Sequence, residues 1–259
     1  MSDNLPNNSD SVGSESNKHK VALITGAAHR IGATTAKLLH QDGMNIVLHY
    51  RGSREKAKAL QKELNDAREN SVIIIQADLH VTNGLPTLIE ESVKAWGQLD
   101  VLINNASSFY PTKIGKATED QWDDLVGSNL KAPFFLSQAA APHLKKSNGC
   151  IVNIVDIHAE RPLKTFPIYS MAKAGLVMMT KSLAGELGPE IRVNAVAPGA
   201  ILWPENLDEV AKQRIVSRTF LKRQGEPNDI AKTILYLIRD ANYVTGQIIA
   251  VDGGRSLNS

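Results

Sequence analysis

From Lys20 onward, short uninterrupted apolar runs alternate with longer stretches in which apolar residues return every three or four positions. The runs are VALIT (21–25), MNIVLHY (44–50), SVIIIQADL (71–79), LDVLINNAS (99–107), CIVNIVDI (150–157), IRVNAVAPG (191–199) and QIIAVDGG (247–254). They are apolar at consecutive positions, the pattern of parallel strands that helices cover on both faces. Between them, SREKAKALQKELNDAR (53–68) places Ala57, Leu60 and Leu64 on one helix face and charges on the other. DQWDDLVGSNLKAPFFLSQAAAPHL (120–144) predicts a long helix, and Thr118 and Gln121 have the spacing of a capping box ahead of it. Strand–helix alternation through the chain predicts a single doubly wound α/β domain over 19–259, with no internal repeat or linker. Residues 1–18 are rich in Ser, Asn and Asp and predict a disordered tail.

Composition narrows the class. The 29 basic and 27 acidic side chains nearly cancel, so no charge excess points to nucleic acid or an anionic membrane. The single Cys150 has no second thiol for a disulfide or a zinc site, and its apolar run predicts a buried, inert side chain. No apolar stretch approaches the ~20 residues needed to span a bilayer. The polar amino terminus lacks the apolar core of a signal peptide, and a cytoplasmic protein is expected.

After the first run comes TGAAHRIG (25–32), leading directly into GATTAKLLHQDG. Glycine in such a turn lets the backbone approach a pyrophosphate, and the helix N-terminus offers free N–H groups to the anion. Gly26, His29, Arg30 and Ile31 are the candidate contacts. Arg30 can reach the pyrophosphate or a polarised group on a substrate, or face solvent. In NAD-specific folds an acid about 20 residues beyond the turn binds the ribose. Here the second run ends His49-Tyr50-Arg51-Gly52-Ser53 without a carboxylate. Arg51, Ser53 and His49 can receive a 2′-phosphate, so NADPH is expected over NADH; Ser53 is also placed to cap the next helix. Asp78-Leu79 closes the third run, either as a turn or as a contact for adenine. Asn104-Asn105-Ala106 closes the fourth, where a cofactor ribose would approach, and Pro198-Gly199 closes the sixth.

Tyr169 and Lys173 stand four apart in YSMAKAGLVMMT and share a helix face. Hydride transfer to C=O or C=N leaves a heteroatom that needs a proton, which a tyrosine can give and an adjacent ammonium can make easier to give by lowering its pKa. Lys173 can also hold a nicotinamide ribose. Asp156 ends the fifth run, thirteen residues before Tyr169. It can orient a substrate, relay a proton, or cap the strand end. Asn129 can bridge to Lys173 through water or mark a helix irregularity.

Together, TGAAHRIG, NNAS, Tyr169/Lys173, RVNAVAPG and VTGQIIAVDGG resemble the short-chain dehydrogenase/reductase family over residues 20–255. The resemblance implies a Rossmann fold with a seven-stranded parallel sheet and a homotetramer. Within the family the chain looks most like the pteridine reductases. Arg30 stands where glycine is usual; HYRGS resembles their NADPH-selecting segment, with the basic residue one position earlier; NNASSFYPT (104–112) resembles their substrate loop. By that likeness Ser107 contacts cofactor and pterin, and Phe109 stacks on the pterin. Asp156, where most members carry serine, would join Tyr169 in protonating a ring nitrogen while NADPH delivers hydride. LWPENLDEVAKQRIVSRTFLKR (202–223) would form a substrate lid with Trp203 as a wall. The expected activity is NADPH-dependent reduction of dihydropterin, or of oxidised pterin, with dihydrofolate as a side substrate. The alternatives are a generic carbonyl or 3-oxoacyl reductase and a non-catalytic NADPH-binding sensor.

Overall fold

The computed structural model describes residues 19–201, 203 and 208–258. The tail expected at 1–18, and the lid positions 202 and 204–207, lie outside the described residues. Each apolar run forms a strand: β1 (Val21–Ile24), β2 (Asn45–Tyr50), β3 (Val72–Gln76), β4 (Val101–Asn104), β5 (Cys150–Ile154), β6 (Arg192–Pro198) and β7 (Ile248–Val251). They build one seven-stranded sheet in the order β3-β2-β1-β4-β5-β6-β7, and all six pairings are parallel. The single doubly wound α/β domain is as expected.

The consecutive apolar positions divide between two cores. Ala22 and Ile24 of β1, Ile46 and Leu48 of β2, and Val101 and Ile103 of β4 pack on one face. That face is covered by α1 (Arg30–Gln41), α2 (Arg54–Ala67) and α8 (Pro227–Arg239). Their neighbours Val21, Leu23, Val47 and Leu102 pack on the other face. There α3 (Leu85–Trp96), α5 (Ala132–Ser147) and α6 (Pro167–Leu187) close the core. Alternate side chains of a strand point to opposite faces, so a sheet buried on both sides needs apolar residues at every position. Two further helices are α4 (Glu119–Val126), which packs against α6, and α7 (Glu209–Ser217).

The long helix expected over 120–144 is not continuous. After α4, residues Gly127–Lys131 form a π-helical turn before α5 begins. The Asn129 side-chain amide donates to the Leu125 carbonyl at 2.9 Å, the acceptor that an α-helix would give to the backbone N–H of residue 129. The capping box at Thr118 and Gln121 forms with both hydrogen bonds present. Ser53 occupies the position before α2 but makes no side-chain capping bond.

Leu102 lies fully buried at the centre of the sheet. Leu102→Ala is expected to cost about 2–5 kcal/mol, read as a lower urea midpoint with an unchanged slope.

Candidate active site

In a parallel sheet with this strand order, the connections leaving β1 and β4 run to opposite faces and a crevice opens between them at the strands' carboxyl ends. A cleft of about 830 Å³ lies there, towards the upper end of the roughly 300–1,000 Å³ typical of ligand sites. The residues singled out as cofactor and substrate contacts, from Gly26 to Trp203, all border it.

The turn after β1 is pinned from two sides. Gly26 has φ +63°, and a Cβ there would come within 3.0 Å of the Ala106 backbone. A Cβ on Gly32 would meet the Gly26 carbonyl at 2.6 Å. Asn105 donates its side-chain amide to the carbonyls of Thr25 (2.8 Å) and Gly26 (3.1 Å). Thr25 Oγ1 accepts the backbone N–H groups of Asn105 and Ala106. The result is a cradle of backbone opening on the N-terminus of α1, a fit for a pyrophosphate. Arg30 holds φ +55°, a left-handed conformation costing a non-glycine residue about 1–2 kcal/mol. Its exposed side chain borders the cleft, as do His29 and Ile31.

His49 differs from expectation. Its Nδ1 accepts the Gly26 N–H at 3.1 Å and its Nε2 bonds the Ala77 carbonyl at 3.1 Å. Burial drives its pKa down to about 4, against the Ala77 hydrogen bond and the charge of Asp78. A neutral ring with both nitrogens engaged cannot receive a phosphate; it fastens the turn to β2 and β3. Tyr50 and Leu79 are likewise buried at the cleft's edge. Exposed Arg51 and neighbouring Ser53 remain at that lip. Pro198 and Gly199 close the opposite wall, where a Cβ on Gly199 would strike Asp252 Cα at 2.6 Å.

Asp156 and Tyr169 meet directly. The tyrosine hydroxyl donates to Asp156 Oδ2 at 2.7 Å, and the His158 backbone N–H donates to Oδ1 at 2.8 Å. Asp156 thus caps the 3-10 turn Ile157–Ala159 while it holds the phenol. Lys173 donates to the Ile154 carbonyl at 2.7 Å, with Nζ 5.8 Å from the Tyr169 ring centre. The expected lowering of the tyrosine pKa is overturned: burial, then the charge and hydrogen bond of Asp156, raise it well above 10.0. Burial brings Lys173 down to about 8, against the attraction of Asp156.

Asn129, at the helix irregularity, makes direct side-chain bonds to the loop after β4 and to the Leu125 carbonyl. Its Oδ1 accepts from Ser107 Oγ at 2.7 Å and its Nδ2 donates to the Ser108 carbonyl at 2.9 Å. Asp124, on α4, accepts from Ser108 Oγ (3.2 Å) and from the Tyr110 hydroxyl (2.9 Å). His80 links this carboxylate to Asp78, with Nε2 3.2 Å from Asp124 and Nδ1 2.9 Å from Asp78. Burial opposes protonation of His80, but its bonds to Asp78 and Asp124 outweigh it and raise the pKa. The loop so fixed presents Phe109, whose ring stacks on Phe166 at 4.6 Å and meets Tyr169 edge-on at 4.8 Å.

Sequence reasoning missed Phe166, His80 and Asp124, which carry no motif of their own. The π turn that positions Asn129 was legible only as an irregularity.

Residues 26–256 match a family model described as enoyl-(acyl carrier protein) reductase. The chain belongs to the short-chain dehydrogenase/reductase family. It is 37% identical to the 3-oxoacyl-[acyl-carrier-protein] reductase FabG of Staphylococcus aureus, over 91% of this chain and 97% of the relative. It is 36% identical to FabG of Staphylococcus epidermidis, over 91% and 98%. Pteridine reductase 1 of Leishmania tarentolae is 35% identical, over 92% and 96%. An oxidoreductase of this family is shown; identities of 35–37% do not separate the pteridine reductases from the 3-oxoacyl reductases. No helix among the described residues is long and apolar enough to cross a membrane.

Two measurements follow from the geometry. The folded pKa of Lys173, about 8, lies below its ordinary 10.5, so the buried ammonium penalises folding fully below pH 8 and fades towards pH 10.5. Lys173→Met removes the penalty. Its stability relative to wild type should therefore fall by roughly 3 kcal/mol from pH 7 to pH 10.5, checked by urea unfolding at both pH values. Asp124→Asn weakens the charged anchor of the Phe109 loop. Steady-state kinetics should give a substrate KM higher by about tenfold with kcat within about twofold.

Proposed function

We propose that this chain is an NADPH-dependent reductase of pterins, taking dihydropterin, and oxidised pterin, to the tetrahydro form, with dihydrofolate as a side substrate. The observation that carries the reading is the 2.7 Å bond between Asp156 and Tyr169 beside the exposed ring of Phe109. A flat heteroaromatic substrate fits against Phe109 by stacking, with Ser107 and Arg30 at its polar edge and Trp203 as an outer wall. An amino-pyrimidine edge offers N–H donors, which a carboxylate accepts and a ketone lacks.

NADPH, when bound, would supply hydride for the carbon beside the ring nitrogen that the protein protonates. Gly26, His29, Arg30 and Ile31 would hold its pyrophosphate, Arg51 and Ser53 its 2′-phosphate, and Asp78 and Leu79 its adenine. Asn105, Ala106 and Ser107 would line its ribose, with Pro198 and Gly199 against the nicotinamide. The absence of a carboxylate at the end of β2 favours NADPH, since an acid there would repel the 2′-phosphate. Tyr169, protonated through neutral pH, is the proton donor. Asp156 orients the phenol and accepts a substrate N–H; the Lys173 ammonium steadies the phenolate left behind and holds the ribose. Phe134, Phe135, Met171 and Met178 are exposed on α5 and α6, an apolar surface that a homotetramer would cover.

The second reading is a carbonyl reductase of 3-oxoacyl groups. The names of the relatives weigh for it at least as strongly, at 36–37% against 35% identity. Asp156 weighs against it, because a simple ketone has no N–H donor for the carboxylate to accept.

The test is NADPH oxidation with dihydrobiopterin, dihydromonapterin and simple β-ketoesters, on wild type and Asp156→Ser. Pterin turnover is expected, with kcat about 100-fold lower in the variant. Rapid ketoester turnover with no pterin turnover would move the assignment to the second reading. NADPH binding without turnover of any substrate would make the chain a sensor.

A further inference from the structure

Among the described residues that border the cleft, the catalytic reading leaves the guanidinium of Arg255 without a task. Arg255 borders the cleft with Asp156, Tyr169 and Phe166 and is half-buried. Arg30 and Arg51 belong to the turn and the β2 lip, and Lys173 is bonded to the Ile154 carbonyl. Among the described residues, no side chain or carbonyl forms a hydrogen bond or ion pair with the Arg255 guanidinium. The two carboxylates near enough to act on it electrostatically, Asp156 and Asp252, have donors of their own. Asp156 holds Tyr169 and the His158 N–H; Asp252 accepts the N–H groups of Gly254 (2.9 Å) and Ser256 (2.6 Å). Arg218 adds a second positive charge nearby.

The backbone that presents Arg255 is firmly built. Gly253 and Gly254 follow β7 with φ of +63° and +81°, a turn that only glycine adopts freely. The Leu221 N–H donates to the Gly253 carbonyl at 3.1 Å. Beyond the turn, Asn258 donates to the Arg218 carbonyl at 2.8 Å and accepts from the Arg161 guanidinium through its own carbonyl. A braced, partly desolvated guanidinium with free donors attracts an anion more strongly than a mobile surface arginine does.

We propose that Arg255 is the specificity-determining residue of the substrate end of the cleft, binding a carboxylate or phosphate on the part of the substrate that does not react. This rests on the placement of the reacting centre at Asp156 and Tyr169, and it deepens the proposed function by naming a charged substituent as part of the substrate. A flat ring bearing a carboxylate and a thioester bearing phosphates share this chemistry, so both are tested.

The experiment compares kcat/KM at saturating NADPH within two pairs: dihydrofolate against dihydrobiopterin, and acetoacetyl-coenzyme A against ethyl acetoacetate. Wild type, Arg255→Met and Arg255→Lys are measured. In the pair that wild type turns over, the charged-to-neutral ratio should fall about 10- to 100-fold in Arg255→Met and less in Arg255→Lys. A ratio unchanged within about threefold in both variants, including equal loss on both substrates, overturns the proposal. So does a wild type that turns over none of the four. If only the acetoacetyl pair reacts, the pterin reading fails while the ratio for that pair still decides the role of Arg255. Should Arg255→Met not fold, the decision passes to Arg255→Lys, whose ratio must drop by more than about threefold.

Discussion

The close approach of the β1 turn to the loop after β4 is the contact on which the rest of the site depends. These strands are neighbours in the sheet, yet the chain leaves them towards opposite faces, and the crevice exists because of that divergence. It is kept narrow at its floor by atoms with no room to spare. Gly26 lies against Ala106, Gly32 against the Gly26 carbonyl, and Asn105 donates across the gap. Loosening this seam would displace both the anion cradle and the loop carrying Ser107 and Phe109, because Asn105 and Ala106, which hold the turn, lead directly into that loop.

Above that seam, burial decides the electrostatics. Lys173 and Tyr169 share a helix face as any i, i+4 pair does, and proximity alone would make the lysine an acidifier of the phenol. In the folded chain desolvation and the Asp156 charge act more strongly, and the phenol keeps its proton. The lysine in turn is drawn towards the neutral form by the same burial. A proton donor that holds its proton until an acceptor arrives, beside a cation that can settle the resulting charge, is a consistent arrangement for reduction.

Much of this was legible from the chain. All seven strands were marked by continuous apolar runs, since double burial constrains every strand position. The turn glycines and the Asp156, Tyr169 and Lys173 spacing stood out because backbone approach and shared helix faces leave local signatures. What escaped was set by tertiary contacts. Phe166 matters only because Phe109 is folded onto it, and Asp124 only because the fold brings Ser108 and Tyr110 within hydrogen-bond reach of it. The sequence offers His49 as a contact for a 2′-phosphate, since nothing in HYRGS reveals that its ring is enclosed between Gly26 and Ala77.

That enclosure separates two properties that are often entangled. The imidazole fastens the turn to the sheet through Gly26 and Ala77, and burial holds its pKa down to about 4. On the proposed function, discrimination would fall to exposed Arg51 and half-buried Ser53 on the outer lip. Coenzyme preference would therefore be carried on the rim of the cleft, apart from the turn that His49 fastens below it.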